Sequence, residues 1–193
     1  QDFEEDLISV DLQSLNSEWV EFHTTNLDKN VQYDYFINVN VRNIVVSPDQ
    51  TAVRDSVVKK NVEDGFTYKL DSKGNVMKDT LGNDIKLKKY KTLQCALIST
   101  LQTKSCQIAG DIETIQVNPN KVLKKDPIGA KSFFENVSAR AVGDVGALNA
   151  SQLERTKAQI VPFPSEIDMI VRTSNSLKSA IRGSIQTNRR LIN

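Results

Sequence analysis

Six apolar or aromatic residues occupy alternate positions in one stretch of the chain: Val31, Tyr33, Tyr35, Ile37, Val39 and Val41. A period of two matches the pleat of an extended chain, whose side chains point to opposite faces in turn, and a helix does not produce it. The segment predicts a half-buried strand, which needs neighbouring strands for its backbone hydrogen bonds. The alternation breaks at Asn43, where the apolar run Ile44-Val45-Val46 follows, and a β-bulge accounts for the change of phase. Weaker alternation from Leu7 to Leu15 and the cluster Trp19 to Phe22 extend the strand reading towards the N-terminus, with a turn at Asn26 to Asn30. Thr92 to Gln102 and Ser105 to Val117 read as two further strands. Cys106, Ile108, Gly110 and Ile112 share a face of the second, and Asn118-Pro119-Asn120 is a turn. Phe133 and Phe134 mark another strand, whereas residues 50–65 are polar and read as a loop or short helix.

The last quarter changes period. Asn149 can cap a short helix through about Ala158, and Pro162-Phe163-Pro164 is a stiff break. Ser165 then caps a long helix with Glu166 and Asp168 in its first turn, where the helix dipole favours acid. Ile167, Ile170, Val171, Leu177, Ile181 and Ile185 form its apolar stripe, and Arg182, Arg189 and Arg190 lie towards its C-terminal end. Its polar face is mixed in charge, which suits packing on a sheet better than lying on a membrane. The expected fold is α+β: a mainly antiparallel β-sheet with a protruding turn repeat and a C-terminal amphipathic helix packed on the sheet. A length of 193 residues suits a single domain, 1–193. Within it, 1–146 is a β-rich body that includes an exposed turn repeat at 63–91, and 147–193 is the helical part.

The repeat is the clearest local pattern. Asp71-Ser72-Lys73-Gly74-Asn75-Val76-Met77-Lys78 is followed at once by Asp79-Thr80-Leu81-Gly82-Asn83-Asp84-Ile85-Lys86. Each copy centres a turn on Gly-Asn, where positive φ costs little. Asp71, Asn75, Asp79, Asn83 and Asp84 supply oxygen atoms, so calcium is a reading to weigh. The spacing is not that of an EF-hand loop, and the interleaved Lys73, Lys78 and Lys86 oppose a cation. A structural turn repeat is therefore expected, with these five residues as a candidate interaction surface. Lys86, Lys88, Lys89 and Lys91 then form a basic strand edge, which resists sheet aggregation and lacks the aromatics of a nucleic-acid groove.

Recognisable catalytic chemistry is thin. A net charge of +1 gives no global attraction for nucleic acid or anionic lipid. No apolar run approaches the roughly 20 residues of a membrane span. The chain has one histidine, His23, and no nucleotide, metal or nucleophile-elbow motif, so neither enzyme activity nor a cofactor is expected. Carboxylate pairs carry no sequence spacing, which leaves a carboxylate-dependent hydrolase as an alternative. A glycan- or peptidoglycan-binding module is another, with Trp19, Tyr33 and Tyr35 as its aromatic wall. Cys95 and Cys106 flank a possible hairpin at Leu97 to Ser105; they are either a candidate disulfide or two buried thiols.

Three stretches resemble exported, uncharacterised cell-envelope proteins of the Bacteroidetes. They are Glu63 to Leu70 running into the Asp-x-x-Gly-Asn repeat, Ala139-Arg140-Ala141-Val142-Gly143-Asp144, and Pro162-Phe163-Pro164-Ser165. Gln1 in place of Met agrees with a removed leader. The resemblance implies an exported, periplasmic or outer-membrane-associated protein, with candidate O-glycosylation at Ser56 and Thr80 in Asp55-Ser56-Val57 and Asp79-Thr80-Leu81. It transfers no catalytic residue. The function expected is that of a non-enzymatic subunit or accessory of a larger outer-membrane-associated assembly, by analogy secretion or gliding machinery. Its expected partners are other envelope proteins, with no nucleic acid and no transmembrane segment.

Overall fold

The computed structural model describes residues 9–23 and 30–192. Leu7 and Ile8 of the expected first strand lie outside the described residues, as does the turn at Asn26 to Asn30 apart from Asn30. The element order is β1 (Tyr35–Val46), β2 (Gln50–Tyr68), β3 (Lys86–Gln116), β4 (Lys121–Gly143), α1 (Ala150–Lys157) and α2 (Glu166–Asn188). The fold is mainly antiparallel β-sheet with the C-terminal helix packed on it. β3 is the hub, hydrogen-bonded to β1, β2 and β4. β1 runs antiparallel to it from Tyr35 opposite Gln116 to Val46 opposite Cys106, and the register shifts between Val41 and Asn43. That shift places a bulge at Arg42, where the sequence alternation fails.

Three sequence expectations change. The polar stretch 50–65 is not loop or helix but most of β2. Thr51, Val53, Val57, Val58, Val62 and Thr67 supply β-branched side chains, and most of the strand is exposed on both faces, so it shows no apolar stripe. The two strands expected at 92–102 and 105–117 are one, β3. Among the described N-terminal residues, Gln13–Leu15 is a 3-10 turn and Trp19 to Phe22 is not strand. Leu12 and Leu15, three apart, are the buried pair there, a spacing that suits a tight helical turn.

Ser47 carries the ladder from β1 towards β2. Its N–H donates to Ser105 O at 2.8 Å, and its hydroxyl accepts the Ser105 N–H at 2.8 Å. A side-chain oxygen thus stands where a strand carbonyl would be.

The chain divides into two compact units, and β3 and β4 contribute residues to both. The first comprises the described residues up to Gln50, Thr103–Glu135, and the chain from Pro162. Its core is Leu12, Leu15, Cys106, Ile108, Ile112 and Ile128 against Met169, Leu177, Ile181 and Ile185 of α2. Each such side chain contributes about 1.5–3 kcal/mol when buried. α2 starts at Ser165, whose hydroxyl accepts the Asp168 N–H at 3.1 Å, while the Asp168 carboxylate accepts the Ser165 N–H at 3.2 Å. The buried face is not the whole stripe read from the sequence. Ile167 is 62 % exposed and Val171 is also exposed, while Met169, Thr173 and Ser174 are buried. Hydroxyl groups are tolerated there because each is bonded: Thr173 to Met169 O and Ser132, Ser174 to Val171 O. At the bulge, Gly110 is required by space, since a Cβ there would lie 2.1 Å from Asn40 O.

The second unit comprises Thr51–Gln102 and Asn136–Val161. Its core is smaller: Cys95, Leu97, Ala147 and Leu148, with Val58, Leu93, Ala139 and Ala141 packed against them. Buried Gln102 ties its segments together. Its amide donates to Val161 O at 2.9 Å, and its carbonyl accepts from Asn136 at 2.8 Å and from the Val161 N–H at 3.3 Å. Asn149 caps α1 reciprocally with Gln152.

Candidate functional site

The turn repeat builds itself from its own side chains. In the first copy, Asp71 Oδ1 accepts the N–H groups of Lys73 and Asn75 at 2.8 and 2.9 Å. In the second, Asp79 Oδ1 accepts those of Leu81 and Asn83, both at 2.9 Å. Each Asn amide donates back to the Oδ2 of its Asp, at 3.4 and 3.3 Å. Gly74 and Gly82 take φ of +83° and +84°, the left-handed region that closes each turn. Backbone N–H donors hold both carboxyl groups below the usual carboxylate range, those of Asn75 and Lys73 for Asp71 and those of Asn83 and Leu81 for Asp79. The Asp71 and Asp79 carboxylates thus serve to close the turns. Asp84 pairs instead through its backbone, in a bridge with Lys78.

A second set of bonds joins the two copies. Met77 N–H donates to Lys69 O at 2.8 Å, Ile85 N–H to Met77 O at 2.9 Å, and Lys69 N–H to Ile85 O at 2.9 Å. Residues 69, 77 and 85 thus close a ring of three backbone hydrogen bonds, one repeat length apart. Next to this junction Phe66 and Tyr68 pack edge to face at 5.4 Å, and Lys86 Nζ lies 4.3 Å above the Phe66 ring. Phe66, Tyr68, Leu70, Val76, Leu81 and Leu87 are all exposed. Leu81, in the second turn, is 85 % exposed. The aromatic pair escaped the sequence reading; its signal was the alternation Phe66-Thr67-Tyr68 just after Gly65.

The other candidates are dispersed. Ser56 lies in mid-strand on β2 and its hydroxyl donates to Leu97 O at 3.3 Å, whereas Thr80 is exposed in the second turn. Cys95 and Cys106 are free and buried. The expected hairpin between them does not form, because Leu97 to Ser105 is extended inside β3. The two thiols belong to different cores, Cys106 to that of the first unit and Cys95 to that of the second. Trp19 is exposed, while Tyr33 and Tyr35 are half-buried and Tyr33 packs against His23 and Phe36. A shallow open depression of about 450 Å³ is lined by Pro164, Asp168, Val171, Arg172 and Asn175, without an aromatic wall.

One charged cluster was not anticipated. Asp111 on β3 is 4 % exposed and bonds Arg42, Lys125 and Asn40. Lys125 also reaches Glu113. Hydrogen bonds from Arg42 and Lys125 hold the Asp111 carboxyl down at about 2. A carboxyl so placed stays ionised at neutral pH and has no proton to give a leaving group. Among the described residues no group of three His, Cys, Asp or Glu side chains is placed to hold a metal ion, and no helix is long and apolar enough to cross a membrane. No protein-family model, curated protein or solved structure matches the chain.

Proposed function

We propose that this chain is a non-enzymatic exported cell-envelope protein, a subunit or accessory of a larger outer-membrane-associated assembly, which meets its envelope partners through a protruding turn repeat. The observation that carries the reading is Leu81, 85 % exposed in a turn that Asp79 and Asn83 lock by hydrogen bonds. Leu70, Val76 and Leu87 surround the same junction and are exposed as well. A large apolar side chain on a rigid turn gains by being covered and loses little conformational freedom when it is. The resemblance of Glu63 to Leu70 and the following repeat to exported envelope proteins of the Bacteroidetes supports the compartment. Secretion or gliding machinery enters by analogy alone.

The test is cross-linking in native membranes followed by recovery of the chain, comparing wild type with Leu81→Asp. Wild type is expected in a complex with other envelope proteins, and the variant is expected folded but depleted of them. Recovery of the wild type alone, at stoichiometric purity, would overturn the reading. For the modification, the same reading places a glycan at Thr80 rather than Ser56, whose hydroxyl is engaged within the sheet. Intact mass of native material should fall by the glycan in Thr80→Ala and stay unchanged in Ser56→Ala; loss in the Ser56 variant would reverse the assignment.

A further inference from the structure

We propose that the free edge of β2 is a self-association site, where a second copy of this chain adds its own β2 in antiparallel, two-fold register about Val62. β2 is a strand of 19 residues that, among the described residues, pairs with β3 alone, which leaves its other edge of N–H and C=O groups without a strand partner there. No proline interrupts Gln50–Tyr68. Such an edge is a template for another strand unless something blocks it.

The order of side chains along β2 names the occupant. Lys59-Lys60-Asn61-Val62-Glu63-Asp64 carries positive charge before Val62 and negative charge after it. In an antiparallel pair, opposed residues share a face of the sheet, so a two-fold axis must fall on a residue that meets its own copy. An axis at Val62 sets Lys60 opposite Asp64 of the second copy and Asp64 opposite its Lys60. It also places Lys59 diagonal to Glu63, and the paired stretch ends at Gly65, whose φ of +78° breaks the alternation of faces ahead of Phe66. Opposite charges facing each other stabilise a sheet, and like charges directly opposed destabilise it. Lysines on an edge ordinarily repel another sheet, but here the same strand carries their counter-charges where symmetry needs them.

Lys59 and Lys60 have no carboxylate partner among the described residues. Glu63 and Asp64 bridge Lys88 and Lys91 of β3 at 2.9 and 3.2 Å. Those bridges are exposed, so the carboxylates retain faces open to a second copy. A different protein would have no reason to match this two-fold order; a copy of the chain matches it by construction.

The test is sedimentation of the full chain over a concentration series, with circular dichroism to confirm folding. Wild type is expected to dimerise, and Lys60→Asp and Asp64→Lys each to be monomeric at concentrations where wild type is paired. An equimolar mixture of the two variants should restore the dimer, because each then presents the charge that the other lacks. Val62→Cys should form a disulfide-linked dimer under mild oxidation, since it meets itself across the axis. A wild type that stays monomeric, a dimer untouched by either charge variant, or a mixture that does not pair overturns the proposal, and so does capture of another protein's strand in place of the second copy. Leu81 lies outside this register, so failure here and failure of the envelope reading are separate results.

Discussion

Asp111 is a buried, paired charge in the first unit. Its carboxylate is buried to 4 % exposure, and Arg42, Lys125 and Asn40 donate to it in place of water. Its native value of about 2 lies below the ordinary 3.8, so the folded chain binds its proton less readily than the unfolded chain. The stabilisation is therefore fully present above the unfolded value and is lost as pH falls through the folded one. The gap in urea midpoint between wild type and Asp111→Asn should be constant above about pH 5 and should close between about pH 4 and pH 2. A gap that keeps its size down to pH 2 would contradict the assignment. None of this was legible in the sequence, because Arg42 and Asp111 lie 69 positions apart and meet only through strand register. Gly110, by contrast, was placed on the right face but not given its reason. Gly110→Ala should cost about 1–3 kcal/mol in chemical denaturation, because the added Cβ meets backbone that cannot move aside easily.

At the scale of elements, patterns survived where one face is buried and failed where none is. The bulge after Val41, the Asn149 and Ser165 caps and the turn at Asn118-Pro119-Asn120 were readable because local chemistry dictates them. β2 was misread because its neighbours bury little of it, so alternation had nothing to record. α2 was found but rotated: periodicity weighs Ile167 and Val171 as apolar, while the packed face accepts Thr173 and Ser174, whose hydroxyls bond back to the helix. This difference is measurable. Leu177→Ala should cost about 2–5 kcal/mol of unfolding free energy, the range for a truncated core leucine. Ile167→Ala should change stability by less than about 0.5 kcal/mol, as exposed substitutions do. Equal effects would restore the stripe that the sequence suggested.

At the scale of the whole molecule, two cores of different size share two strands. Among the described residues, ten buried side chains form the cluster of the first unit and four that of the second. Opening free energy follows local burial, so the strands should not be uniformly protected along their length. Cys106 to Gln116 of β3 is flanked by β1 on one side, where Cys106, Ile108 and Ile112 enter the larger core. The first residues of β3, from Lys86 to Lys91, are exposed. β4 ends at Gly143, close to Gln94 and Cys95, so that part of β3 has β2 alone as its strand neighbour among the described residues. A strand with one neighbour and no buried side chain opens by breaking few contacts, whereas Ile112 cannot leave without exposing the core beneath α2. Native-state hydrogen exchange should therefore show amides near Ile108 and Ile112 protected by orders of magnitude more than those of Lys86 to Lys91. If β2 acquires a second copy at its free edge, protection should rise with protein concentration in β2, while the amides near Ile112 remain as they were. A concentration-independent profile would leave the gradient in place and remove the pairing.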